Sequence, residues 1–180
     1  MKVKDVMSAE VRTCSPNDDL GRAAQIMWEG DCGIVPVVEP DDYLVGVVTD
    51  RDACMAAYTQ GRTLAAVRTG DVMSRQLRTL RPEEDAEAAG AAMGKLRVRR
   101  LPVVDGLGRL VGLVSLADLA RGIAREKHPA ARRALESCVL DALCQVSLPW
   151  EAQGIPAAAQ PSEARQPGGA GKRQAPEPAR

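Results

Sequence analysis

The chain has 180 residues, 24 acidic and 24 basic, a formal net charge of zero, and two Trp and two Tyr with no Phe. That length suits one or two domains; the charge balance and the scarcity of aromatic rings exclude the basic face and base-stacking platforms of a nucleic-acid binder. No apolar run reaches membrane-spanning length, and Met1–Asp5 turns charged at once, so neither a membrane protein nor a secretory leader is expected and the cytoplasm is the expected compartment.

In chain order, Lys2–Met7 is a lead-in, and Val11-Arg12-Thr13 reads as a short strand that ends at Ser15-Pro16. Ser15 is the expected N-cap of a helix, with Pro16 at its first position and Asp18 and Asp19 in its first turn. Leu20, Ala23, Ala24 and Met27 mark the inner face of that helix, and Gly30 and Gly33 end it. Ile34–Val38 predicts a buried strand, Glu39–Asp42 a turn and Leu44–Val48 a second strand, after which Thr49 opens another helix. Ala53–Arg68 carries the end of that helix and a connection, and Thr69–Met73 is a second lead-in. The same order then returns. Leu77–Thr79 is the short strand, Pro82 opens a helix with Ala86, Ala89 and Met93 on its face, and Leu101–Val104 is a strand. Asp105–Gly108 is the turn, Arg109–Val114 the last strand, and Ser115 opens the last helix of the unit. Ala130–Val146 predicts a further helix, with Leu135, Cys138, Val139, Ala142, Leu143 and Val146 on one stripe. From Pro149 onward Pro, Gly, Ala and Gln dominate, and a disordered tail is expected.

The two halves are copies. Asp5-Val6-Met7-Ser8 returns as Asp71-Val72-Met73-Ser74, Pro36-Val37-Val38 as Pro102-Val103-Val104, and Leu44-Val45-Gly46 as Leu110-Val111-Gly112. The offset is about 66 residues throughout, and about 18 of the 48 aligned pairs between Asp5–Asp52 and Asp71–Asp118 are identical. Each copy has an apolar face it cannot bury alone, so two copies should pack about a pseudo-two-fold axis with related clefts between them. The expected class is α/β (α+β): two β-α-β-β-α repeats over 1–66 and 67–128, a C-terminal helix over 129–148 and a tail over 149–180.

The sharpest chemical pattern is Gly46-Val47-Val48-Thr49-x-x-Asp52 with its copy Gly112-Leu113-Val114-Ser115-x-x-Asp118. Ser or Thr followed three residues later by an acid is ordinary helix capping. Here it also sits at a helix N-terminus after a buried strand, where free N–H groups attract an anion. A hydroxyl there can meet a phosphate, a carboxylate one turn in can accept both hydroxyls of a ribose, and Gly46 or Gly112 would let a flat base approach the backbone. The basic run Lys95-Leu96-Arg97-Val98-Arg99-Arg100 has no cationic counterpart in Glu29–Ile34. It is either a solvated helix end or a guanidinium clamp for phosphate.

These motifs, with the h-Pro-Val-Val strands and the Val-Met-Ser lead-ins, resemble the cystathionine β-synthase (CBS) domain; two in tandem resemble a Bateman module, over Lys2 to about Ile123. The resemblance implies an adenosine derivative bound between the repeats, with the aspartate on the ribose, the hydroxyl near the phosphate, and the base against strands of the other repeat. One site would use Thr49 and Asp52 with Leu77, Val98, Arg99 and Arg100; the other would use Ser115 and Asp118 with Val11, Gly33 and Ile34. It also implies a disc-shaped homodimer of modules.

No nucleophile–base pair, P-loop or metal spacing stands out, so a non-enzymatic regulatory module is expected. It would need no resident cofactor, bind AMP, ADP or ATP as a regulatory ligand, and signal through its own oligomer or an effector protein. The rival reading is an assembly module in which Thr49 and Ser115 only cap helices. Cys14, Cys32, Cys54, Cys138 and Cys144 are read as reduced thiols, Cys138 packed and Cys144 exposed; His128 is read as a helix-terminal residue.

Overall fold

Residues 1–148 are described by a computed structural model. The first repeat runs α1 (Leu20–Glu29), β1 (Ile34–Glu39), β2 (Tyr43–Thr49) and α2 (Asp50–Gln60), with one helical turn, α3 (Thr69–Val72), in the connection. The second runs α4 (Ala86–Leu96), β3 (Arg100–Val104), β4 (Leu110–Ser115) and α5 (Leu116–Arg125), and α6 (Pro129–Ser147) follows. The tail expected over 149–180 lies outside the described residues.

Each repeat carries a two-stranded antiparallel sheet in the same register. Val35 faces Val48 and Val37 faces Gly46; Leu101 faces Val114 and Val103 faces Gly112. Both hairpins slip register at the same place, between Val37 and Val38 and between Val103 and Val104. The expected strands at 11–13 and 77–79 shrink to single parallel bridges, Cys14 with Val37 and Leu80 with Val103. Pro16 and Pro82, two residues further on, offer no N–H to continue a ladder.

The helix starts also move. Ser15 and Pro82 do not open helices; Asp19 and Asp85 hold the N-cap positions, and Asp19 Oδ1 accepts from Arg22 N at 2.9 Å. Ser15-Pro16 instead makes a turn in which Ser15 N donates to Asp18 Oδ2 at 2.8 Å. The first helical N–H groups are claimed from the connecting segments: Leu20 N donates to Val67 O and Ala86 N to Met1 O. On α1 the buried residues are Leu20, Ala23, Ile26 and Met27, so Ile26 takes the core place expected of Ala24.

The packing units cross the sequence repeats. Ser8 exchanges two backbone hydrogen bonds with Leu113 of β4, and Ser74 exchanges two with Val47 of β2, at 2.9 to 3.1 Å. Each lead-in therefore extends the sheet of the other copy. Val3 and Val6 enter a core with Leu80, Met93, Val103, Leu119 and Leu135, whereas Val67 and Met73 enter one with Leu20, Val35, Val37 and Val48. A fully buried Val or Leu contributes roughly 1.5–3 kcal/mol by area, so the exchange ties the two cores to each other's chain segments. It also explains the paired glycines differently from the sequence. A Cβ on Gly46 would lie 2.6 Å from Met73 Sδ, and one on Gly112 would lie 2.7 Å from Met7 Sδ. The expected room for a flat base is filled by the exchanged methionines.

Helix α6 follows its predicted stripe in part. Leu135, Val139 and Ala142 are buried, and Cys138 Sγ donates to Glu87 O at 3.0 Å; Leu143 is 43% exposed and falls off the stripe. No helix of the described residues is long and apolar enough to cross a membrane.

Candidate functional site

Strand β2 ends in Thr49, whose extended backbone turns the chain into α2. The turn is a closed capping box: Thr49 N donates to Asp52 Oδ2 at 2.9 Å, Thr49 Oγ1 donates to the same oxygen at 2.8 Å, and Asp52 N donates back to Thr49 Oγ1 at 3.2 Å. Ser115 and Asp118 repeat it at 2.8, 2.6 and 3.1 Å. The capping reading of both motifs is thus correct, and the remaining question is what lies beside each cap.

Beside Thr49 lies a cleft of about 660 Å³. Leu77, Val98, Arg99 and Arg100 of the second repeat line it together with Thr49, as the carried-over pattern expects. Asp52, expected in the same site, is not among the residues that line the cleft; it stands one helical turn along α2, half-buried, its Oδ1 without a hydrogen-bond partner among the described residues. Gly33 and Ile34, expected at the Ser115 motif, line the Thr49 cleft. The register is the reason: Ile34 pairs directly with Thr49 across β1 and β2, and Asp50 N donates to Gly33 O. Val11, Ser115 and Asp118 do not line this cleft.

The walls of the cleft are strongly basic. Arg51, Arg78 and Arg97 join Arg99 and Arg100 on its walls, against the single carboxylate of Asp50. Arg78 is paired with Glu84 at 3.3 Å, while the other four make no ion pair among the described residues. Arg97 reaches its position through a left-handed backbone (φ 54°) at the C-cap of α4, which turns the basic run out of the helix and into β3. The run is therefore both a helix end and part of a cleft wall. A Cβ on Gly33 would lie 3.0 Å from Asp50 Oδ2 and 3.8 Å from Arg100 Nη1, so the guanidinium reaches across to the first repeat. Apolar surface comes from Ile34, Val47, Leu77 and Val98, with Val146 of α6 added. Arg97 was readable from the basic run, and Arg51 and Arg78 flank motif residues; nothing local announces Val146.

The arrangement offers guanidinium donors for an anion and an apolar wall for a flat group, with the Asp50 carboxylate on the wall and Asp52 one helical turn from Thr49. The second motif differs. Asp118 is 8% exposed and its Oδ1 is paired with Arg121 of the same helix.

The family profile described as "CBS domain" matches residues 3–58 and again 70–125. The CBS domain-containing protein YhcV of Bacillus subtilis (strain 168) is 41% identical over 118 residues, covering 66% of this chain and 82% of that protein. Among solved structures, CBSX2 in complex with AMP is similar with a TM-score of 0.63 at 26% identity, over 71% of this chain and 98% of that one. The CBS domain pair of protein MJ0100 in complex with 5'-methylthioadenosine and S-adenosyl-L-methionine is similar with a TM-score of 0.60 at 28% identity, over 67% and 98%.

Proposed function

The chain belongs to the CBS-domain family, and from that premise we propose that it is a regulatory module that binds an adenine nucleotide in the Thr49 cleft. The observation that carries this reading is the pairing of an apolar wall with a cluster of guanidinium groups in one cleft of about 660 Å³, a volume within the ~300–1,000 Å³ usual for small-molecule sites. The adenine lies against Ile34, Leu77 and Val98, and Arg99 and Arg100 clamp phosphate; Asp52, one helical turn from Thr49 with Oδ1 unpartnered among the described residues, takes the ribose hydroxyls. The further cations Arg51 and Arg97 favour AMP, ADP or ATP over a cationic ligand such as S-adenosylmethionine. The protein works without catalysis, in the cytoplasm, and passes occupancy to an effector protein or through its own homodimer. The capping-only reading has the closed capping boxes in its favour; it has no use for an open, cationic cleft beside one of them.

Thermal melting with AMP, ADP, ATP, S-adenosylmethionine and adenosine tests the proposal. A ligand bound only by the folded state at 100 times its dissociation constant adds about 2.7 kcal/mol. The phosphorylated ligands should raise the melting temperature most. If none of the five moves it, the cleft is not a nucleotide site and the assembly reading takes its place.

A further inference from the structure

We infer that Arg121 closes the second motif, so that one chain holds one adenine nucleotide, at the Thr49 cleft. The inference rests on the nucleotide reading of that cleft. The two capping boxes match bond for bond, and in each the aspartate Oδ2 is already shared between a backbone N–H and a hydroxyl. The only oxygen left to receive a ribose hydroxyl is Oδ1. In the first repeat, Asp52 Oδ1 has no partner among the described residues. In the second, Arg121 sits on Asp118 Oδ1, three residues along the same helix.

The residue equivalent to Arg121, at the offset of about 66, is Met55, which carries no charge to offer Asp52. A guanidinium exposed on its outer side makes a modest ion pair when free to move. Here it faces a buried carboxylate, and an incoming ribose must compete with that cation for Oδ1 and for the space beside it. Cations do stand near the motif: Arg100 pairs with Ser115 across β3 and β4, and Leu116 N donates to Arg99 O. The equivalents of Arg97, Arg99 and Arg100 are Asp31, Gly33 and Ile34. The equivalent of Arg78 is Arg12, which is paired with Glu29 at 3.1 Å. The first repeat thus has fewer unpaired guanidinium groups to offer than the second. Arg121 therefore sets the stoichiometry.

Bound ligand per folded chain decides the matter, measured by equilibrium dialysis with AMP and, separately, with adenosine, which needs no phosphate clamp. The wild type should bind one of either. Arg121→Met, which copies Met55, should bind a second adenosine at least about tenfold more tightly than the wild type does, a difference of about 1.4 kcal/mol. Arg121→Lys, which keeps a cation, should stay at one. In Asp52→Ala with Arg121→Met the surviving adenosine should be the one at Asp118. Two AMP per wild-type chain, or no second adenosine in Arg121→Met, overturns the inference. If the wild type binds neither ligand, it is the reading of the Thr49 cleft that falls; the role of Arg121 is then decided by whether Arg121→Met acquires one adenosine.

Discussion

In the second repeat the outer face of α4 carries Gly90 and Gly94, and α6 lies on it; in the first repeat the equivalent places on α1 are Ala24 and Trp28, and Trp28 is 89% exposed. The contact with α6 is close. A Cβ on Gly90 would lie 2.7 Å from Cys138 Sγ, and one on Gly94 would lie 3.1 Å from Ala142 Cα. Two small residues one helical turn apart thus decide which copy receives the extra helix. The clefts diverge in the same way, by side chains on an unchanged backbone. Arginines gather beside Thr49, while Asp31 stands where Arg97 would be and Arg121 covers Asp118. A duplicated fold keeps its core symmetric and differentiates at the surface, because core changes cost stability and surface changes seldom do.

Gly94→Trp copies Trp28 into the second repeat and drives an indole into the backbone of α6. Overpacking of this kind costs about 3 kcal/mol or more, and denaturant unfolding together with amide exchange should show lost stability and faster exchange across α6. Trp28→Gly, the reverse exchange, should cost about 1 kcal/mol or less, the helical penalty for glycine. Equal losses in the two would mean that α6 does not depend on the glycines.

Asp52→Ala should weaken AMP binding by roughly 1.5–3 kcal/mol, the scale of hydrogen bonds to a charged group. Its fold should lose about 1 kcal/mol from the missing cap. Asp118→Ala should lose a similar cap contribution and leave AMP affinity unchanged, as calorimetry on both proteins can establish. A matching loss of affinity in the two would erase the difference between the clefts.

Replacing Arg99 and Arg100 together by Gln should reduce AMP affinity by roughly 1–3 kcal/mol and adenosine affinity much less. It should also flatten the salt dependence of AMP binding, since screening acts on the charged contact. A proportionate loss of AMP and adenosine would show that the arginines hold the cleft's shape rather than a phosphate.

The smallest effect concerns the thiols. Cys14 occupies in the first core the place that Leu80 fills in the second; burial pushes its thiol up to about 11, with Asp18 adding to the shift. Thiol reagents need the thiolate. At pH 8 they should therefore modify exposed Cys54 and Cys144 promptly and reach Cys14 only on unfolding. Prompt modification of Cys14 in the folded protein would show that the first core opens more readily than its symmetry with the second implies.

Much of this was legible in the amino-acid order, because it depends on neighbours a few residues apart. The repeat, the apolar strand pairs, the turns between them and the two capping boxes all follow from patterns spanning a handful of positions. The helices expected to start at 15–16 and at 82 start after Asp19 and Asp85. The local signals there are genuine turn chemistry, but the first helical N–H groups bond to Val67 and Met1, which are distant in sequence.

The set of units and the chemistry at the end of each β2-like strand can be read from the residues alone. Long-range packing decided which lead-in completes which sheet, why Gly46 and Gly112 carry no side chain, and that Gly33 and Ile34 face Thr49. It also decided that Arg51, Arg78, Arg97 and Val146 share one cleft. The physical reason is range. Capping, turn formation and strand alternation are settled within one or two turns of backbone, whereas the exchange of lead-ins, the docking of α6 and the convergence of guanidinium groups depend on packing between segments tens of residues apart. No local pattern encodes those pairings; they follow from which apolar faces remain to be buried once the local units have formed.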